Sequence, residues 1–231
     1  MTTIWARIGW GAILDVLYVP ECGACRKPLF GAEKSVCLPC LSTLEPADHG
    51  LYPDDNPVYR HLLEKVAVQG AAAGFVFNAT MREFIHAFKY DNRRDVARRL
   101  GRFWGERLAE QPLGREIACL VPTPLHVRKE RERGYNQARE LARGLSAALN
   151  VPVVDALRRV RHTRQQALLG QEERLKNVAG SMAADASTAG VRGVALVDDV
   201  VTTGATMAAA CEALYAAGTP PVYVLALASA G

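Results

Sequence analysis

The sequence predicts an α/β protein, a parallel sheet flanked by helices, with a small four-cysteine module ahead of it. Three observations predict it. From about residue 70 onward, short apolar segments alternate with amphipathic ones, the pattern of strands and covering helices. The stretch Val194 to Thr206, VALVDDVVTTGAT, runs four apolar residues into two adjacent carboxylates, then into small hydroxyl residues and glycine. Near the N-terminus, cysteines fall in two C-x-x-C pairs, Cys22 with Cys25 and Cys37 with Cys40.

The chain has 231 residues, enough for one α/β domain with a small appendage. Its net charge of +4 is too weak alone to argue for nucleic acid, but suits a phosphate-bearing ligand. No window reaches the roughly 18 apolar residues that a membrane span needs. The nearest, IWARIGWGAILDVLYVP, is interrupted by Arg7 and Asp15 and lacks a small-residue cleavage site, which argues against a signal peptide. Its spacing suits a helix with one apolar face packed on its own protein; a membrane-surface helix is the alternative. Residues 1–45 are expected to form this helix and the cysteine module, 46–65 a linker, and 66–231 the main domain. The polar stretch PADHGLYPDDNP, Pro46 to Pro57, carries the linker reading.

In the main domain GAAAGFVF reads as a strand. MREFIHAF and DVARRLGRFWGERLAE read as helices, with Phe84, Ile85 and Phe88, then Val96, Leu100, Phe103, Trp104 and Leu108, at helical spacing. IACLVP is a buried strand ending at a proline-marked loop, NQARELARGLSAAL a helix, VPVV a short strand and EERLKNVA a short helix. VALVDD is a strand, ATMAAACEALYAAG a helix closed by Gly218, and PVYVLALA a last strand. Such alternation points to a parallel sheet covered on both faces.

Cys22, Cys25, Cys37 and Cys40 carry the spacing of a structural zinc site. Two tight turns bring four thiolates onto one ion, and four protein ligands leave no open position for hydrolysis. Free thiols or a redox pair are the alternatives. A redox C-x-x-C sits where a strand meets a helix, a setting not visible in this stretch. The intervening KPLFGAEKSV suits a short hairpin with Gly31 in its turn. Paired cysteines outside a disulfide framework point to a reducing compartment, hence the cytoplasm. Cys119 and Cys211 read as packing residues.

In parallel α/β sheets ligands bind beyond the carboxyl ends of the strands. There Asp198 and Asp199 emerge. Thr202, Thr203, Gly204, Ala205 and Thr206 then lead into a helix. Small residues expose backbone N–H groups and the helix start adds positive dipole, which makes a phosphate cradle. The aspartates suit sugar hydroxyls or a hydrated magnesium ion. The plain alternative is a capping turn, but adjacent carboxylates at a buried strand end are costly without a partner. Neither a P-loop nor a dinucleotide fingerprint is present.

VALVDDVVTTGAT resembles the 5-phosphoribosyl-1-pyrophosphate (PRPP) signature of type I phosphoribosyltransferases. More narrowly, the chain resembles the ComF family of competence-associated, phosphoribosyltransferase-like proteins. FKY at Phe88 to Tyr90, VPTPLHVRKERERGYNQA at Val121 to Ala138 and RHTRQQALLGQEERLKNV at Arg161 to Val178 support this, with the cysteine pairs ahead of them. The resemblance implies the type I phosphoribosyltransferase fold with an N-terminal four-cysteine zinc ribbon. It implies that Asp198 and Asp199 contact the ribose hydroxyls of PRPP and that Thr202 to Thr206 bind its 5-phosphate. Arg128, Arg131 and Arg133 become candidates for pyrophosphate, with Lys89. Arg161 and Arg164 become candidates on a flap that closes over substrate. RKERER could equally be a solvated helix face, and the flap a solvated loop. Gly134, Tyr135 and Asn136 are expected to shape the loop.

The implied reaction is pentosyl transfer: a nitrogen nucleophile displaces pyrophosphate from C1 of PRPP, with magnesium on the pyrophosphate. No general base stands out; His126 and His162 lie in the right segments. Many relatives carry further C-x-x-C pairs before the catalytic domain. Residues 41–70 of this chain contain no cysteine, so one zinc is expected. The start Met-Thr-Thr lacks the cysteine of a glutaminase half. Three readings compete: a phosphoribosyltransferase of unidentified acceptor, a non-catalytic PRPP-binding or DNA-uptake accessory module, and a protein whose zinc ribbon docks other proteins. The second implies a helicase, other DNA-uptake proteins or single-stranded DNA as partners. A continuous basic face from Arg26 and Lys27 to Arg98, Arg99 and Arg102 would favour DNA.

Overall fold

The computed structural model describes residues 19–160 and 181–229. The expected N-terminal helix, the helix at EERLKNVA, and Arg161, His162 and Arg164 lie outside the described residues. In chain order the described helices are α1 (Leu38–Ser42), α2 (Pro57–Leu63), α3 (Ala79–Tyr90), α4 (Arg94–Leu108), α5 (Pro112–Glu116), α6 (Val127–Arg133), α7 (Gln137–Leu149) and α8 (Ala205–Ala216). The strands are β1 (Gly70–Val76), β2 (Cys119–Pro122), β3 (Leu157–Arg159), β4 (Met182–Ala184), β5 (Val194–Val201) and β6 (Tyr223–Ser229).

Four strands form one parallel sheet in the order β1-β6-β5-β2, while β3 and β4 make a separate antiparallel pair. Continuous apolar runs in β1, β5 and β6 are explained by burial on both faces. Side chains alternate between two cores. Ala72, Leu120, Ala195, Val197 and Leu225 face α3, α4 and α7, against Phe84, Phe88, Leu100 and Leu141. Ala71, Val121, Leu196 and Val224 face α2 and α8, against Leu62, Met207 and Leu214. Each fully buried leucine or phenylalanine contributes about 1.5–3 kcal/mol relative to exposure.

Helices α4 and α7 meet at glycines. A Cβ at Gly144 would stand 2.2 Å from the Arg98 carbonyl oxygen, and one at Gly101 2.3 Å from that of Leu141. The backbones therefore touch only because neither residue has a side chain. Beside this crossing the buried Glu140 takes both Arg98 and Arg143, each at 2.5 Å.

Three expectations need correction. VPVV is no strand: Val153 makes one isolated bridge to Leu120, because Pro152 has no N–H to continue a ladder. The stretch expected as a linker carries structure. At its start the Glu45 carbonyl accepts from Val76 N–H at 2.9 Å, Ala47 N–H donates to Gly74 at 3.1 Å, and Ala71 N–H donates to Pro53 at 2.7 Å. Asn56 caps α2 and also donates its side-chain amide to Ala71. Finally, β5 runs two residues beyond the expected VALVDD, to Val201.

Candidate phosphate and carboxylate site

The cysteine module is built first by local turns. Cys22 N–H donates to Lys27 at 2.9 Å and Cys37 N–H to the Cys22 sulfur at 3.4 Å. Pairing wraps the first knuckle, through a single Glu21–Pro28 bridge, and the expected ladder across KPLFGAEKSV is replaced by a turn at Gly31 and by α1, which carries Cys40. All four Sγ atoms lie within 4.8 Å of one another, Cys25 and Cys37 at 3.8 Å. A tetrahedral ion with bonds near 2.3 Å requires sulfurs about 3.8 Å apart, so the donor set fits a structural zinc ion. Burial opposes ionisation of Cys22, yet N–H donors from Cys37, Ala24 and Cys25 bring its thiol down to about 7.

The module is not a loose appendage. Cys22, Leu29, Val36 and Leu41 belong to the same core as Phe84 and Leu100. Arg26 pairs with Asp91 at the end of α3, and Arg93 donates to the Glu21 carbonyl at 3.0 Å. Asp91 is held below the usual carboxylate range, chiefly by Arg26.

Near the carboxyl end of α3, β5 presents the acidic pair. Asp199 is buried and Asp198 half-buried. Lys89 Nζ lies 3.0 and 2.9 Å from the two Asp199 oxygens. Asp199 N–H donates to Asp198 Oδ1 at 2.8 Å, and the Thr123 hydroxyl also bonds Asp198. Burial, and then the Asp199 carboxylate, push the Asp198 carboxyl up to about 7. Beyond Val201, Thr202 and Thr203 are exposed, and Gly204 turns the chain at φ +71° into α8. Among the described residues no side chain caps α8, which leaves its first N–H groups available to an anion.

The loop after β2 is pinned to this pair. Thr123 N–H donates to Val197 at 2.9 Å and its carbonyl accepts from Asn136 at 2.8 Å. Gly134 ends α6 at φ +77°, Tyr135 bonds the Phe88 carbonyl, and Asn136 caps α7. RKERER is indeed a helix with no buried residue. One side of it nevertheless faces inward. Lys129, Arg131 and Arg133 join Lys89, Tyr90 and Arg94 around a groove of about 510 Å³. Arg133 stacks over Tyr90 at 5.7 Å and donates to Gln137 at 2.6 Å. Arg128 instead pairs with Glu132, whose side chain also lines the groove, and His126 serves as cap of α6.

Sequence reasoning missed Thr123, Arg94, His61 and Lys65. Thr123 follows the proline at the end of β2, the position where strand-end ligands gather, and that signal was readable. Nothing in the sequence places His61 and Lys65 beside Gly204, where its Cβ would stand 3.5 and 3.3 Å from their side chains. The proposed basic face is interrupted: Arg26, Arg98 and Arg102 each pair with a carboxylate, Asp91, Glu140 and Glu106. Among the described residues no helix is long and apolar enough to cross a membrane.

The fold and site define an α/β protein that couples a strand-end acidic pair to a tetrathiolate module. No family model matches the chain. It is 33% identical over 152 residues to Competence protein F of Haemophilus influenzae, covering 63% of this chain and 66% of that protein. It is 28% identical over 225 residues to DNA utilization protein YhgH of Escherichia coli, covering 92% and 98%. The same-named protein of Salmonella typhimurium is 27% identical over 231 residues, covering 92% of this chain and 98% of that one. The chain belongs to the ComF family.

Proposed function

We propose that this protein binds PRPP and transfers its phosphoribosyl group to a nitrogen acceptor. The observation that carries the reading is Asp198 and Asp199 at the end of β5, followed directly by the uncapped, glycine-turned start of α8. In this reading Thr202 to Thr206 take the 5-phosphate and the aspartates accept from the ribose hydroxyls. The groove of Lys89, Arg131 and Arg133 takes the pyrophosphate, and magnesium bound with it would share its charge. The N–C1 bond forms as the C1–O bond breaks; the electron pair leaves with pyrophosphate, and the acceptor's N–H proton passes to it or to water. Cys22, Cys25, Cys37 and Cys40 would hold a structural zinc, which would fix the shape of the module that packs on α3 and α4.

A second reading keeps PRPP binding without turnover, in a DNA-uptake accessory protein. The names of the relatives favour it, as does exposed Tyr90 beside Arg133, a stacking surface for single-stranded DNA. Calorimetry with magnesium and PRPP tests the shared core. Wild type should bind, and Asp198→Asn/Asp199→Asn should lose at least tenfold. Absence of binding by wild type overturns both readings; release of pyrophosphate with an acceptor separates them.

A further inference from the structure

The turn that joins α3 to α4 is shared between the basic groove and the cysteine module. Along it, successive side chains go to different places. Lys89, Tyr90, Asn92 and Arg94 line the groove. Asp91 and Arg93, set between them, bond elsewhere. Asp91 pairs with Arg26 of the module and lies 3.5 Å from His86 Nδ1. Arg93 pairs with Asp95 at 2.9 Å and donates to two module carbonyls, Glu21 at 3.0 Å and Ser35 at 3.4 Å.

The module atoms in these bonds sit beside the cysteines. Glu21 precedes Cys22, Arg26 follows Cys25, and Ser35 stands two residues before Cys37. The knuckle itself sets the Arg26 backbone: its N–H donates to the Cys22 carbonyl at 3.1 Å and its φ is +60°, uncommon for a residue with a side chain. The Ser35 carbonyl also accepts from Gly23 N–H at 2.9 Å, which ties the two knuckles together. A Cβ at Gly23 would stand 2.5 Å from Val96 Cγ2, so the first knuckle rests directly on the first turn of α4. A closed module therefore delivers two carbonyls and one guanidinium to the α3–α4 turn at fixed positions. On the groove side, Lys89 bonds Asp199 and Arg94 lies over the Tyr135 ring at 5.6 Å.

We infer that Arg26 and Arg93 are positioning residues for the groove. Through Asp91 and the turn they hold Lys89, Tyr90, Asn92 and Arg94 in the arrangement that binds a pyrophosphate-type anion, with the closed cysteine module as their frame. The inference rests on the reading that this groove takes pyrophosphate. Five cationic side chains line the groove, Lys89, Arg94, Lys129, Arg131 and Arg133, and without an anion they repel one another. A hold from outside keeps two of them, Lys89 and Arg94, in place, so the anion does not have to order them. Global stability is not what the Arg26–Asp91 pair serves. Its side chains are 48% and 30% exposed, and a pair so open to water contributes little to folding.

The test is calorimetry of inorganic pyrophosphate against the full chain, beside thermal melts and hydrogen exchange at the Asp91 and Arg93 amides, which both donate to the Ala87 carbonyl. Arg26→Met and Asp91→Ala each break the pair but change the net charge in opposite directions. Positioning predicts that both variants lose affinity by about fivefold, the upper end for a partly exposed pair. Both amides should exchange faster, while Tm stays within about 3 °C of wild type. Arg26→Lys, which keeps the charge and the pairing, should bind within about twofold of wild type. Weaker binding by Arg26→Met with tighter binding by Asp91→Ala is the signature of long-range charge alone and overturns the inference. Unchanged affinity in both variants of a protein that binds pyrophosphate also overturns it and leaves the groove reading standing. A larger loss of Tm in both variants, with faster exchange throughout the chain, makes the pair merely structural and overturns it as well. A wild type that does not bind pyrophosphate removes the groove reading and this inference together.

Discussion

Lys89 Nζ sits 2.9 Å from Oδ2 and 3.0 Å from Oδ1 of Asp199, across 110 residues of sequence, and neutralises a carboxylate that is only 5% exposed. The contact fixes the end of α3 to the end of β5. It also sets the charge of the acidic pair before any ligand arrives, leaving one compensated aspartate and one, Asp198, whose ionisation is opposed.

Removing the lysine leaves that carboxylate buried without its cation. Lys89→Met should destabilise by about 3 kcal/mol, within the range for breaking a buried pair from one side. Lys89→Met/Asp199→Asn should recover most of the loss, because neither partner then carries an uncompensated charge. Urea unfolding of the two singles and the double closes the cycle; strict additivity would show the pair to be energetically uncoupled.

Asp198 makes stability pH-dependent in a direction opposite to most carboxylates. Its native carboxyl titrates at about 7 against 3.8 in the unfolded chain, so between these values the native state holds the extra proton. Stability contributed by this group is present at pH 4, falls as pH rises, and is lost above about 7. Asp198→Asn should therefore gain on the order of 1 kcal/mol, roughly 2–4 °C in Tm, at pH 8 and nothing at pH 4. Melting curves at the two pH values check it; an equal shift at both would assign the effect to packing.

The thiolate cluster shares a core with α3 and α4, so metal loss should be felt globally. We expect one zinc per chain by elemental analysis, and none in Cys25→Ala. Because Cys25 is exposed, its truncation removes little packing of its own. Its Tm should still fall by roughly 5 °C or more, the equivalent of about 2 kcal/mol for a chain of this size. A zinc-free variant that melts with wild type would make the module an independent appendage.

At the α4–α7 crossing, Gly144→Ala forces a methyl group against the Arg98 carbonyl. Backbone must move, at a cost of about 1–3 kcal/mol despite alanine's better helix propensity. Gly101→Ala should behave alike. Thermal melts decide; stabilisation would mean that the helices separate without penalty.

How much of this was legible depends on which forces act locally. The strands β1, β5 and β6 and helices α3, α4, α7 and α8 follow from apolar period and were readable to within a few residues. The acidic pair and its loop were readable because buried adjacent carboxylates have few structural uses. Proline and polarity misled at Pro46 to Pro57: the stretch is polar because it is outermost, yet its backbone bonds to β1. VPVV has strand composition, but Pro152 interrupts its donors. Helical charge alternation in RKERER was equally consistent with solvent and with ligand; in the fold Arg128 pairs with Glu132, and Arg131 and Arg133 line a groove with Lys89. His61 and Lys65 reach Gly204 only through tertiary packing, which no local pattern encodes.

The same proline-bearing stretches have a consequence for the life of the protein in a crowded solution. β1 and β2 are the outer strands of the sheet, where exposed backbone donors and acceptors invite a foreign strand. Along β1, Glu45, Ala47 and Pro53 already occupy them. Along β2, Pro152 and Val154 bond Leu120 at 2.9 and 2.8 Å. Pro46, Pro53 and Pro152 cannot donate onward, so each covering segment ends the hydrogen-bond row. Among the described residues, backbone groups at both margins of the sheet are thus taken up, which opposes strand addition and edge-to-edge aggregation there.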